Sequence, residues 1–200
     1  MKILARCFIL VMTLNLLPAA LGDPAEDYEL LHPATNLDAP DPTPAPQSAD
    51  SAKVAHGQYL VELLGCGTCH TDGALAGMPR GDRRMAGSHI GIAISDPLTQ
   101  SLPGVVYPAN LTPDKKTGIG SWSEEEIVML IRSGVDRDGR QHLSVMPWPA
   151  YAKLSEEDAR AIAAYLRALP PVEHQVPENI APGSKATSPF VHFGVYRSRQ

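Results

Sequence analysis

Two cysteines three positions apart, followed at once by a histidine, form the stretch of this 200-residue sequence best suited to chemistry: Cys66-Gly67-Thr68-Cys69-His70. Thiols at that spacing can each add to one vinyl group of a haem, giving two thioethers, and the adjoining histidine is then held beneath the ring as an iron ligand. Other uses of the pair fit less well. A thioredoxin-like redox pair belongs in a βαβ setting, and no such pattern surrounds it. Zinc requires a tetrahedron of ligands, and no second cysteine pair follows. A structural disulfide between Cys66 and Cys69 would close a very small, strained loop. Gly65 and Gly67 fall short of a dinucleotide-binding loop, because a helix precedes them and the final glycine is missing.

With His70 on one side of the iron, the ligand on the other side must come from elsewhere. Met78, Met85, Met129 and Met146 are available, as are His56, His89 and His142, with His32, His174 and His192 nearer the ends. Met129 falls inside an amphipathic helical pattern and is expected in the core. Met78 precedes Pro79 and Met85 follows Arg83-Arg84, both in a long loop. Met146 lies in Leu143-Ser144-Val145-Met146-Pro147-Trp148-Pro149. The proline after it removes a backbone donor and stiffens the turn, which helps hold a flexible thioether in place. Met146 is favoured on that ground, Met78 and Met85 stay open as candidates, and His142, four residues before Met146 on the same loop, is the alternative that would give bis-histidine ligation.

Short helices must position these groups. Val54, Gly57, Leu60, Val61 and Leu64 recur at helical spacing, and Gly65 ends the run just before Cys66. Gly57 lies on the apolar face, where a missing side chain lets another helix approach closely. Ser123 with Glu126 reads as a capping box, followed by Ile127, Leu130 and Ile131 and stopped by Gly134. Ser155 with Asp158 repeats that grammar ahead of Ile162, Tyr165, Leu166 and Leu169, with Pro170-Pro171 as the stop. Ala161, Ala163 and Ala164 make this last helix thin, a partner for Gly57. From Ala74 to Leu111 glycines and prolines without a sustained period read as loop. Loops of that length are unusual in a compact domain unless something fills the middle, and a large prosthetic group would.

The ends differ from the middle. Residues 1–22 carry Lys2 and Arg6, an apolar run from Cys7 to Leu17, Pro18 and small residues to Gly22, the pattern of a secretory signal peptide. That run is shorter than the roughly 18 residues needed to span a bilayer. Residues 23–50 hold seven acids, no Lys or Arg and six prolines, which predicts an extended acidic linker. Residues 51–171 carry twelve basic against thirteen acidic side chains, so the domain is close to neutral and has no nucleic-acid footprint. Residues 172–200 return to prolines and polar side chains and read as a C-terminal extension. Asp136-Arg137-Asp138-Gly139 lacks the spacing of a calcium loop and reads as a turn. No hydrolytic triad is legible.

Several stretches in order resemble one family. Gly57 to Val61, Cys66 to Thr71, Tyr107 to Asp114, Thr117 to Glu126, Gly134 to Arg140, Met146 to Tyr151 and the last helix to Pro171 are similar to the mono-haem c-type cytochrome domains of alcohol, aldehyde and gluconate dehydrogenase cytochrome subunits. The resemblance implies an all-α class I cytochrome c fold over residues 51–171, with three to five short helices and long loops around one covalent haem c. It implies Cys66 and Cys69 as thioether anchors, His70 and Met146 as axial ligands, and Asn110 and Trp122 in the loop at the haem edge. This chain shows one such domain where the family often has three, an acidic segment ahead of it and no closing membrane-associated helix. The expected function is a periplasmic electron carrier between a dehydrogenase and a terminal oxidase or another cytochrome, without enzyme activity of its own. The alternatives are a permanent haem subunit of a dehydrogenase complex, or a haem enzyme or gas sensor with an open distal position.

Overall fold

The structure, a computed structural model, describes residues 49–94, 104–142 and 145–193. The signal segment 1–22, nearly all of the acidic linker, Cys7, His32, Leu143, Ser144 and Tyr196 lie outside the described residues.

Helix α1 (Ala49–Leu63) covers the predicted apolar run. Gly65 then turns the chain sharply at φ 69°, a left-handed conformation natural to glycine, into the single turn α2 (Cys66–His70). Helix α3 (Glu124–Ser133) starts in a complete capping box: the Ser123 hydroxyl accepts from the Glu126 N–H, and the Glu126 carboxylate accepts from the Ser123 N–H at 2.8 Å. Glu124, Glu125 and Glu126 sit in its first turn, at the positive end of the helix dipole. After the short α4 (Trp148–Tyr151), helix α5 (Glu156–Ala168) begins with the Ser155 hydroxyl accepting from the Asp158 N–H at 3.0 Å. The prolines beyond it prevent continuation.

Helices α1 and α5 pack across each other at Gly57, as the sequence implied. A Cβ at that position would lie 1.9 Å from the carbonyl oxygen of Ala161 and 2.9 Å from the Cβ of Tyr165. Helix α3 closes the same core, in which Leu60, Val61, Ile127, Ile131, Ile162 and Leu166 are buried together.

The stretch 74–111 holds more than loop. Tight 3-10 turns at Ala74–Ala76 and Gly81–Arg83 precede strand β1 (Gly91–Ile94), which pairs antiparallel with β2 (Val105–Val106), Ile92 opposite Val106. On its other side β1 pairs parallel with β3 (Phe190–Phe193), Ile92 opposite Val191, giving the order β2-β1-β3. Ala93, Val105 and Tyr107 form a small second core there. The helical core is thus the expected one, with a small sheet added to it. Strands of two to four residues are too short for period-two alternation to register in a sequence. The sheet also draws part of the C-terminal extension onto the domain through β3. Among the described residues no helix is long and apolar enough to cross a membrane.

Candidate haem-binding site

The site is built on α2. Its turn is closed by the Thr68 N–H to the Gly65 carbonyl at 3.0 Å and the Thr71 N–H to the Gly67 carbonyl at 3.1 Å. Cys66 and Cys69 both carry free thiols. Withdrawal from water pushes both up, Cys66 to about 11, so they stand as neutral thiols. Among the described residues no three His, Cys, Asp or Glu side chains are grouped to hold a bare metal ion.

His70 is fixed from two directions. Its Nδ1 lies 2.8 Å from the carbonyl oxygen of Ala109, and because a carbonyl only accepts, Nδ1 carries the proton and Nε2 keeps its lone pair. Burial pushes the ring's pKa down, against the Ala109 bond that pushes it up, and so favours the neutral form that ligates metals. The His70 carbonyl accepts from the Gly87 N–H at 2.9 Å.

Ala109 is presented by a loop that Asn110 organises. Buried Asn110 accepts at Oδ1 from the Thr112 N–H (2.9 Å) and hydroxyl (2.7 Å), and donates through Nδ2 to Thr117 Oγ1 (3.0 Å) and the Val172 carbonyl (2.8 Å). Its polar atoms are engaged within the protein, directly beside the carbonyl that orients His70. Trp122 is half-buried against the main core. The Arg137 guanidinium stands 5.3 Å above its ring, and its carbonyl accepts from Arg167 at 3.0 Å.

Met146 is half-buried just ahead of α4, and the Trp148 N–H donates to its carbonyl at 2.8 Å. The base of its loop is tied at His142, whose N–H donates to the Gly134 carbonyl (2.8 Å) and whose carbonyl accepts from the Trp148 indole (3.2 Å). His142 Nε2 is 3.2 Å from the buried Asp136 carboxylate. Burial pushes that carboxyl up, but the N–H groups of Arg140 and Asp138 and the His142 and Arg140 side chains outweigh it and bring the carboxyl down to about 2. His142 is therefore engaged in the turn, which weakens the bis-histidine alternative. Tyr151, at the end of α4, has its phenol pushed up by burial and further by proximity to Cys66 and Cys69. The end of the short helix after Met146 is thus within electrostatic reach of the thiols, a proximity the sequence reading did not single out although Tyr151 closes one of the resembling stretches.

Met85 is buried in the helical core, and its N–H donates to Thr71 Oγ1. Met78 is exposed, and so is Met129, contrary to the core placement expected. The face α3 buries is Ile127, Val128 and Ile131, which turns residue 129 outward. His56 pairs with Asp158 at 2.8 Å, His89 binds the buried Asp72 closely, and His174 reaches the Ala86 carbonyl at 2.8 Å. The Ala109 carbonyl carries no side-chain signal, and only the fold reveals it.

Two neutral thiols in one helical turn, an imidazole with its Nε2 lone pair kept and a thioether on a tied loop are a donor set that fits a covalently attached haem. Residues 54–170 match the family model for cytochrome c. The chain is 35% identical over 162 residues to the fructose dehydrogenase cytochrome subunit of Gluconobacter japonicus, covering 80% of this chain and 29% of that protein. It is 37% identical over 119 residues to the cytochrome c subunit of the quinone alcohol dehydrogenase of Gluconobacter oxydans (strain 621H), covering 60% and 22%. It is 35% identical over 121 residues to the gluconate 2-dehydrogenase cytochrome c subunit of Pantoea cypripedii, covering 60% and 24%. The chain therefore spans about a quarter of the length of these relatives.

Proposed function

Because this chain belongs to the cytochrome c family, we propose that it carries one electron at a time on a single haem c attached through Cys66 and Cys69, with His70 and Met146 as axial ligands. The carrying observation is that His70 follows the second cysteine directly and has its Nδ1 engaged by the Ala109 carbonyl, which reserves Nε2 for iron. When bound, the haem supplies a one-electron ferrous–ferric couple. The chain's own groups do the rest. The thiols anchor, Ala109 raises the donor strength of His70, and the soft Met146 thioether favours the reduced state. His70 and Met146 would together hold the iron and leave no position for substrate, so the protein would move electrons without transforming a substrate.

The donor is proposed to be a periplasmic dehydrogenase, and the acceptor a terminal oxidase or another cytochrome. The names of the relatives, cytochrome subunits of fructose, alcohol and gluconate dehydrogenases, support the donor class. They equally favour a second reading in which this chain is a permanent subunit of such a complex. The charged start, apolar run and small-residue end of residues 1–22 support export.

The test is the visible spectrum of protein matured with haem-attachment machinery, oxidised and reduced, for wild type and Met146→Ala. A haem c spectrum with the weak far-red band of methionine-ligated ferric iron, lost in the variant, is expected. Absence of the band from wild type, with immediate uptake of carbon monoxide by the reduced protein, would sink the carrier reading in favour of a gas-binding or catalytic one.

A further inference from the structure

The matched cytochrome c domain ends at residue 170, yet the residues after it are bonded to both loops that hold His70. The first loop, 83–87, reaches the His70 backbone: the Gly87 N–H donates to the His70 carbonyl at 2.9 Å. The residue before Gly87 is tied to the C-terminal segment, because the Ala86 carbonyl accepts from His174 Nδ1 at 2.8 Å. The second ring nitrogen is also engaged. His174 Nε2 lies 3.2 Å from Arg83 Nη1, where it can only accept, and the same Arg83 nitrogen donates to the buried Asp72 at 2.7 Å. The second loop, 109–117, reaches the His70 ring through the Ala109 carbonyl. It is tied to the same segment by Asn110 Nδ2 to the Val172 carbonyl (2.8 Å), the Val172 N–H to Thr112 Oγ1 (3.1 Å) and the His174 N–H to Thr117 Oγ1 (3.0 Å).

We propose that Val172–His174 form a strap that positions the proximal histidine, with His174 as a positioning residue that braces both His70-holding loops from behind. The inference deepens the haem reading and rests on it. Its physical content is a chain of bonds: His174 holds Ala86 through its side chain and Thr117 through its backbone, and these loops present the two groups that grip His70. The strap is seated, since its His174 side chain is only 11% exposed and the loop beneath has no spare room: a Cβ on Gly87 would meet Val176 at 2.5 Å. Loosening it lets the Nδ1–Ala109 bond lengthen, which makes the imidazole a poorer donor and stabilises ferric iron less. The predicted direction is therefore a higher reduction potential.

The experiment uses full-length holoprotein, wild type, His174→Ala and His174→Gln. Glutamine can donate to Ala86 and accept from Arg83, so it is the rescue variant. In His174→Ala the ferrous-to-ferric ratio in a fixed redox buffer should rise by up to about fivefold, the ceiling set by the energy of one hydrogen bond lost from the ferric state alone. Amide hydrogen exchange at Gly87 and Leu111 should quicken, and His174→Gln should return both readouts most of the way. If His174→Ala keeps covalent haem, the far-red band, the wild-type ratio and wild-type exchange, the strap is refuted while the haem reading stands. A His174→Gln protein that behaves like His174→Ala refutes the assignment to these bonds. Should His174→Ala fail to accumulate, exchange in wild type decides: the amides of Val172 and His174 must open together with Gly87, and strap amides that exchange far faster refute the proposal. Lack of covalent haem in wild type would instead refute the reading beneath it, a separate and visible failure.

Discussion

Asp136 shows how a single buried carboxylate can organise the loop ahead of Met146, the proposed second ligand. It accepts from the N–H groups of Asp138 and Arg140, from the Arg140 side chain and from His142, which is four residues from Met146. These bonds bring its pKa from the ordinary 3.8 to about 2. A carboxyl depressed in the folded state contributes stability that is complete above its unfolded value and is lost as pH falls through the folded one. The Asp136→Asn protein should accordingly be less stable than wild type at pH 7, with the difference shrinking between about pH 4 and pH 2. Urea unfolding at pH 7 and near pH 2.5 checks this, and an equal difference at both would show that the charge is not what matters. At this scale the sequence was most informative about Cys66, Cys69 and His70, because covalent spacing along the chain is itself the chemical requirement. It was less informative about Asn110. A buried amide acts through partners 7 and 62 residues away, which no local pattern displays.

Elements follow from start and stop signals where they are long enough. Helices α3 and α5 were legible because a serine cap, an acid three residues on and a terminating glycine or proline are all local features. The single turns α2 and α4 and the short strands were not, since their stability comes from what they pack against rather than from propensity. The α1–α5 crossing gives a sharp expectation. Gly57→Ala would set a methyl carbon 1.9 Å from the Ala161 carbonyl, so the helices must part, costing ~3 kcal/mol or more, at the top of the range for overpacked cores. Chemical denaturation monitored by helical circular dichroism measures it, and a loss below about 0.5 kcal/mol would mean that the crossing is looser than described. Ser123→Ala removes the cap of α3 and should cost about 1 kcal/mol in the same assay.

For the molecule as a whole, the C-terminal segment does two separable jobs. Its first part meets the loops around His70, and its later part serves the sheet, where Asn179 Oδ1 accepts from the Tyr107 N–H at 2.8 Å and β3 flanks β1. Asn179→Ala leaves the Tyr107 N–H, just beyond β2, unpaired, which should destabilise this corner by about 1–3 kcal/mol. It should speed proteolysis within residues 180–193 and leave the reduction potential unchanged, in contrast to His174→Ala. Partnership is tested at the same scale. A free shuttle should dissociate from a dehydrogenase when salt is raised to about 0.5 M, whereas a permanent subunit should remain bound through the wash, because small electron-transfer contacts are the more strongly screened.

The sequence alone determined the Cys66, Cys69 and His70 spacing from which haem attachment is proposed, the three longer helices and the close approach at Gly57, since each depends on residues within a few positions of one another. Only the tertiary structure decided which carbonyl orients His70, that His142 binds Asp136, that Met129 faces outward, and that residues beyond the cytochrome c domain are bonded to its loops. Those are encounters between segments tens of residues apart. They are selected by packing and by the need to satisfy buried polar groups, neither of which leaves a periodic trace in the chain.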